Sequence, residues 1–162
     1  MKFTLPFILV SLLLSGCNQS ISKDKSAENL ASQIQEIKDK YRPGLGEYMI
    51  GSQLHHSKLW VAGINGNWKL ADYEVGEIKE SIENIKQVET DRPEVKTINM
   101  IDAPLDSLAS AITQKDVGAF KKQFTLLTST CNNCHTINKF EFNVITVPSA
   151  PPVSNQDFMP HP

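Results

Sequence analysis

The sequence predicts an all-α fold, on three observations. Apolar residues recur at steps of three and four in five successive stretches, which is the period of one face of an α-helix. Proline or glycine stands at several boundaries of these stretches, as at Pro43-Gly44 and Gly66. The alternation that is typical of a strand is confined to Phe140, Phe142 and Val144.

Residues 1–16 have the pattern of a secretory signal sequence. A single Lys2 precedes an apolar run that ends at Leu14, which is shorter than the about 20 residues that a membrane-spanning helix needs. The segment Leu14-Ser15-Gly16-Cys17 resembles the lipobox of bacterial lipoproteins. This resemblance implies cleavage before Cys17 and lipid attachment to its sulfur. An ordinary cleaved signal with an incidental cysteine, or an uncleaved anchor, is the alternative.

Two segments separate this signal from the remaining helices. Residues 17–25 are polar and are predicted to form a tether. Residues 26–43 are predicted to form an amphipathic linker helix, because one helical stripe carries Leu30, Ile34, Ile37 and Tyr41.

Residues 44–147 are predicted to form a helical bundle. Its predicted helices cover 45–64, 68–88, a short stretch from 102 and 117–136, with a crossover loop over 89–100. Asp102 is the expected N-cap of the short helix, with Pro104 in its first turn. Residues 148–162 are rich in proline and are predicted to form an extended tail.

The most informative stretch is Cys131-Asn132-Asn133-Cys134-His135, a C-x-x-C-H string. This spacing is that of a c-type haem attachment site. Each cysteine can form a thioether with one haem vinyl group, and His135 can coordinate the iron. The apolar face of Phe120, Phe124 and Leu127 leads into the string at helical spacing, so one helix is predicted to carry both anchors and the ligand.

Two other interpretations of this string are open. A thioredoxin-like thiol pair would need a βαβ setting. A zinc site would need a fourth ligand, which His55, His56 or His161 could supply. The cysteine count favours haem, because the chain has three cysteines, and lipid at Cys17 and two thioethers account for all of them. Bacterial haem c is attached outside the cytoplasmic membrane, so the export signal supports the same assignment.

The sixth position of the iron has three candidate ligands. Met49 and His56 lie on one face of the helix predicted over 45–64, and thioether and imidazole are the usual axial partners. His55 lies about 100° away on that helix and is the poorer candidate. Met159, in the C-terminal tail, ranks third. The alternative is that Met49 only fills the core and that the two histidines lie at a polar edge.

Residues 116–135, with Phe120, Phe124 and the terminal C-x-x-C-H, resemble the last helix of cytochrome c-prime and its relatives. The resemblance covers roughly residues 44–136 and implies an antiparallel four-helix bundle in which the first bundle helix presents the distal residue, here Met49. The extra N-terminal helix and the extended Pro-rich tail depart from that family. Segments of the chain also resemble a group of uncharacterised bacterial haem-binding proteins: His56-Ser57-Lys58-Leu59-Trp60, Asn67-Trp68, Asp72-Tyr73-Glu74 and Ser154-Asn155-Gln156.

These features predict one covalent haem c and a one-electron carrier rather than a catalyst. The alternatives are a haem-based binder or sensor of a small gas such as NO or CO, and a haem-free zinc or thiol redox module. The 162-residue chain has a net charge of -2, which becomes -3 once Lys2 is removed with the signal, so nucleic acid is not an expected partner.

The expected partners are a periplasmic redox protein and a membrane, which the lipidated Cys17 would bind from its periplasmic side. Asn18, rather than Asp, follows that cysteine and favours the outer membrane. The sequence neither predicts nor excludes a homodimer.

Overall fold

The computed structural model describes residues 19–161, and side chains from Lys25 onward. This part of the chain is all-helical and contains no strand. The helices are α1 (Gln19–Tyr41), α2 (Leu45–Ile64), α3 (Trp68–Val88), the single turn α4 (Val95–Ile98), a 3₁₀ turn (Asn99–Ile101), α5 (Asp102–Thr113) and α6 (Val117–Ile137).

The chain divides into two compact units, Met1–Arg42 and Pro43–Pro162. In the first unit, α1 begins at Gln19, so residues 19–25 of the predicted tether are helical. All side chains described on α1 are exposed, including the apolar stripe of Leu30, Ile34, Ile37 and Tyr41.

Signals in the local sequence end α2 and begin α3. Gly66 has a φ of 71°, which favours glycine, and it allows the chain to turn after α2. The side chain of Asn67 then caps α3, because its Oδ1 accepts a hydrogen bond from the Leu70 backbone N–H at 3.2 Å. Both helices therefore have the bounds that the sequence predicts.

The core of the second unit is built from one apolar face of each long helix. The apolar stripe of α3 is buried throughout: Ala71, Val75, Ile78, Ile82 and Ile85. Phe120 and Phe124 of α6 are fully buried, and the Trp60 ring of α2 lies against both. Gly63 of α2 allows this packing, because a Cβ there would overlap the Phe120 ring.

In the second unit, three details differ from the expectation. The predicted loop over 89–100 contains α4 and the start of the 3₁₀ turn. Asp102 is the first residue of α5 rather than its N-cap, which is Ile101. Residues 140–144 form a turn and irregular chain instead of a strand. Residues 148–161 of the tail form neither helix nor strand, and Phe158 within the tail is buried.

Several predictions lie outside the described residues, namely the signal sequence over 1–16, lipidation at Cys17 and the sorting signal at Asn18. Among the helices that are described, none is both long and apolar enough to cross a membrane.

Candidate functional site

A cleft of about 370 Å³ in the second unit is lined by all the leading candidate residues: Met49 and His56 from α2, and Cys131, Cys134 and His135 from α6. Its volume falls within the range of about 300–1,000 Å³ that is usual for cofactor and ligand sites. Apolar side chains from α2, α3 and the 3₁₀ turn form much of the remaining wall, among them Leu45, Ile78, Ile82 and Ile101.

Local sequence features fix both ends of α6. At the start, Asp116 Oδ1 accepts hydrogen bonds from the backbone N–H groups of Gly118 and Ala119 at 2.9 and 3.0 Å. At the end, Lys139 has a φ of 68°, and the Phe140 N–H donates back to the His135 carbonyl at 2.8 Å. The C-x-x-C-H string therefore occupies the last turns of a capped helix.

The imidazole of His135 has the tautomer that an iron ligand requires. Its Nδ1 lies 2.7 Å from the Asn143 carbonyl oxygen, which can only accept a hydrogen bond, so Nδ1 carries the proton. In the neutral ring, Nε2 then carries the lone pair. A metal-binding histidine typically donates its other ring N–H to a carbonyl in this way, which orients the ring and raises the basicity of the ligand nitrogen.

Both cysteines of the string are free thiols. Cys131 packs against the apolar core, and this burial, with a smaller contribution from nearby Cys134, raises the pKa of the Cys131 thiol to about 12. The Cys134 sulfur lies 3.5 Å from Asn138 Nδ2 and 3.7 Å from Thr97 Oγ1. Cys131 is therefore protonated at neutral pH in the folded chain.

His56 is buried in the cleft wall, where its exposed fraction is 4%. The Thr128 hydroxyl donates its only proton to the Phe124 carbonyl at 2.9 Å, so it must accept the hydrogen bond from His56 Nε2, also at 2.9 Å. Nδ1 then carries the lone pair and has no hydrogen-bond partner in the described part of the chain. Burial lowers the pKa of His56 to about 4, which keeps the ring neutral at neutral pH.

The other sequence candidates lie elsewhere. The Nδ1 of His55 contacts Glu74 Oε2 of α3 at 2.6 Å, and Glu74 is fully buried. Met159 is about half exposed, and its carbonyl accepts a hydrogen bond from Asn67 at 2.9 Å, outside the cleft lining. His161 contacts Asp157 at 3.4 Å. Neither of the two predicted tail candidates therefore joins the cleft.

Several residues contact the string in ways that the sequence did not predict. Asn138 donates hydrogen bonds to the Cys134 carbonyl and to Thr97 Oγ1, both at 2.8 Å. Asn132 bonds the backbone of Ile145 through both atoms of its amide. The only sequence signal for these contacts is the unusual density of asparagine around the motif, at positions 132, 133, 138 and 143.

The donor set of the cleft suits a covalently attached haem. Two thiols and the Nε2 of His135 belong to one wall, and the Met49 thioether and the unpartnered nitrogen of His56 belong to the α2 wall. The side chains described do not bring three or more His, Cys, Asp or Glu together as a group that could hold a metal ion.

Comparison with protein-family models, with curated proteins and with solved structures found no match to this chain.

Proposed function

We propose that this chain is a monohaem c-type cytochrome that transfers single electrons at the bacterial cell envelope. The observation that carries the proposal is the state of His135: its Nδ1–H is held by the Asn143 carbonyl, so Nε2 is available to iron in the cleft that Cys131 and Cys134 also line. The cysteines would anchor one covalent haem c, which when bound supplies an iron that cycles between two oxidation states.

The proposed architecture is an antiparallel four-helix bundle of α2, α3, α5 and α6. Pairs of contacts support opposite directions for neighbouring helices. Between α2 and α3, Ser52 contacts Ser81 at 3.0 Å and His55 contacts Glu74 at 2.6 Å. Between α3 and α5, the ion pairs Lys79–Asp106 and Lys86–Asp102 have N–O distances of 2.7 and 2.9 Å. In each set, residue numbers rise on one helix as they fall on the other.

Contacts between α2 and α6 support Met49 as the distal ligand. His56 bonds Thr128, and the Trp60 ring centroid lies 4.8 Å from that of Phe124, so the two helices pair with opposite numbering. Continuing this register by seven residues on each helix, we infer that Met49 lies level with His135. Thr128, the partner of His56, stands seven positions before His135. At 1.5 Å per residue, it is therefore about 10 Å from His135 along the axis of α6. His56 is therefore the alternative ligand.

The remaining residues of the cleft suit electron transfer with little rearrangement. A six-coordinate iron between His135 and Met49 would keep the same ligands in both oxidation states. The largely apolar walls would limit the contact of a bound haem with water, which is one of the means by which proteins tune its potential. The acidic balance of the chain would suit a basic redox partner in the periplasm.

Absorption spectra of oxidised and reduced protein, made in cells that attach haem c, test this function. Met49→Ala is expected to convert a low-spin iron to a high-spin one, because the thioether ligand is lost. Met159→Ala, at an exposed methionine outside the cleft, is the matched control and should leave the spectrum unchanged.

Other results would point to other functions. A spectrum that changes in His56→Ala but not in Met49→Ala would make His56 the ligand. A wild-type iron that is already high-spin and shifts with CO or NO would favour gas binding. A wild-type chain without covalent haem would contradict the proposed function and leave the thiol or zinc alternative.

We also propose that lipid on Cys17 holds the chain on the periplasmic side of a membrane. In bacteria fed labelled palmitate, the wild type is expected to take up label, whereas Cys17→Ser should lose the label and its membrane attachment. Cys131→Ser/Cys134→Ser is the control and should keep the label, since it removes the other two cysteines. Asn18→Asp should move the lipoprotein from the outer to the inner membrane. Label that persists in Cys17→Ser would contradict lipidation at this residue.

A further inference from the structure

The side chain of Asn132 forms two hydrogen bonds with the backbone of a single residue, Ile145. Nδ2 donates to the Ile145 carbonyl at 2.8 Å, and Oδ1 accepts from the Ile145 N–H at 2.7 Å. The Asn132 amide thus donates one hydrogen bond to a backbone segment that lies several residues after α6, and accepts one from it. Asn132 belongs to the C-x-x-C-H string, between Cys131 and His135, so the same helical turns carry these bonds and the proposed iron ligand.

The bonded segment also contains the carbonyl that determines the tautomer of His135. Asn143, two residues before Ile145, accepts from His135 Nδ1 at 2.7 Å. On its N-terminal side, the Asn143 N–H donates to the Phe140 carbonyl at 2.9 Å, within the turn that ends α6. The turn therefore holds one end of this short segment and Asn132 holds the other.

Apolar packing contributes little to holding this segment in place. The Phe142 and Val144 side chains have exposed fractions of 80% and 65%, and Asn143 is also exposed. Only the side chain of Ile145 is half-buried, where it lines the cleft. Hydrogen bonds are thus the main described contacts that keep the Asn143 carbonyl against His135.

We propose that Asn132 is a positioning residue for His135: its amide holds the 143–145 segment so that the Asn143 carbonyl stays on Nδ1. A histidine that donates a strong hydrogen bond from Nδ1 is a stronger electron donor through Nε2, which stabilises oxidised iron. Asn132 would therefore keep the reduction potential lower than it would be without these bonds. This effect on iron rests on the proposed function, whereas the hold on the segment does not.

Asparagine suits this position because it offers one donor and one acceptor at the end of a short side chain. Aspartate would keep the bond from the Ile145 N–H but would set a second carboxylate oxygen against the Ile145 carbonyl, where two acceptors repel. The neighbouring Asn133 is exposed and serves as the matched control in the same string.

The test compares Asn132→Ala with Asn133→Ala in haem-loaded protein. In Asn132→Ala, amide hydrogen exchange at Ile145 should become faster, because the N–H loses its acceptor. The Nδ1 proton of His135, seen by NMR in the reduced protein, should also exchange faster, and the reduction potential should shift upward. Asn133→Ala should change none of these. Asn132→Ser, whose side chain is too short to reach Ile145, is the second variant if the first does not mature.

The possible results separate this inference from the proposed function. Faster exchange at Ile145 together with a raised potential supports a positioning role. Faster exchange with an unchanged potential would show that the bonds are only structural and would overturn the inference, as would no change in either. A wild-type chain without covalent haem would overturn the proposed function and the effect on the potential, whereas exchange at Ile145 and at the His135 Nδ1 proton would still test the hold of Asn132 on the segment.

Discussion

Cys131→Ser/Cys134→Ser is expected to abolish covalent haem, so that a denaturing gel of the double variant shows no haem stain at the position of the chain. A serine oxygen does not form the thioether to a haem vinyl group, and denaturation releases a haem that only His135 holds. Each single variant should keep one thioether and shift the reduced absorption bands to longer wavelength, because one vinyl group stays conjugated with the ring.

The third cysteine provides the control for this experiment. Cys17→Ser, which lies in the predicted lipobox, should keep the haem stain, since both thiols of the C-x-x-C-H string remain in the cleft lining. A stained band in the double variant, or loss of the stain in Cys17→Ser alone, would contradict the assignment of the three cysteines.

Gly63→Ala is expected to destabilise the second unit by about 1–3 kcal/mol, the usual cost of forcing extra atoms into a packed core. The added Cβ would overlap Phe120, whose ring is fully buried. Phe120 has little room to move, because the ring centroids of Trp60, Trp68 and Phe124 lie 5.9–6.1 Å from its own. Denaturant unfolding should show a lower midpoint with an unchanged slope.

Gly76→Ala is the matched control for this substitution. Gly76 lies within α3, is exposed, and has open space where a Cβ would stand. Alanine should therefore stabilise the chain by about 0.5–1 kcal/mol, through its better helix propensity alone. A Gly63→Ala protein as stable as the wild type would contradict the close packing of α2 against Phe120.

The sequence predicted those parts of the fold that local signals mark. The bounds of α2 and α3 follow from Gly44, Gly66 and Asn67, and α6 begins after the cap at Asp116. Residues 19–25 lack an apolar stripe, so periodicity did not indicate that α1 extends over them. Likewise, α4 is a single turn and is too short to show a period.

The strand suggested by Phe140, Phe142 and Val144 is a wrong prediction for a different reason. Phe140 and Phe142 alternate in sequence, yet the backbone N–H of Phe140 bonds the end of α6, and the two rings pack against each other with centroids 6.0 Å apart. A short alternating stretch predicts a strand only where a neighbouring strand exists to pair with it, and the described chain has none.

The site was predictable only where its chemistry is local. The spacing of C-x-x-C-H and helical periodicity indicated that Cys131, Cys134 and His135 share one helix. The same periodicity placed His56 on the Met49 face of α2 and His55 on another face. The partners of these residues left no pattern. Thr128 is 72 residues from His56, and the acceptor for His135 is a backbone carbonyl, which any residue could provide.

The contacts that build the cleft close chain loops of very different lengths. Asn132 and Ile145 are 13 residues apart, whereas 86 positions separate Met49 from His135. Loop-closure entropy grows with the logarithm of this length, so the wall from α2 costs roughly 1.7 kcal/mol more to bring into place. If Met49 is the sixth ligand of a bound haem, as proposed, partial unfolding should therefore detach it first, while the short C-terminal segment keeps His135 on the iron. The visible spectrum would then report on tertiary folding, and a high-spin signal would appear while the thioethers still hold the haem on the chain.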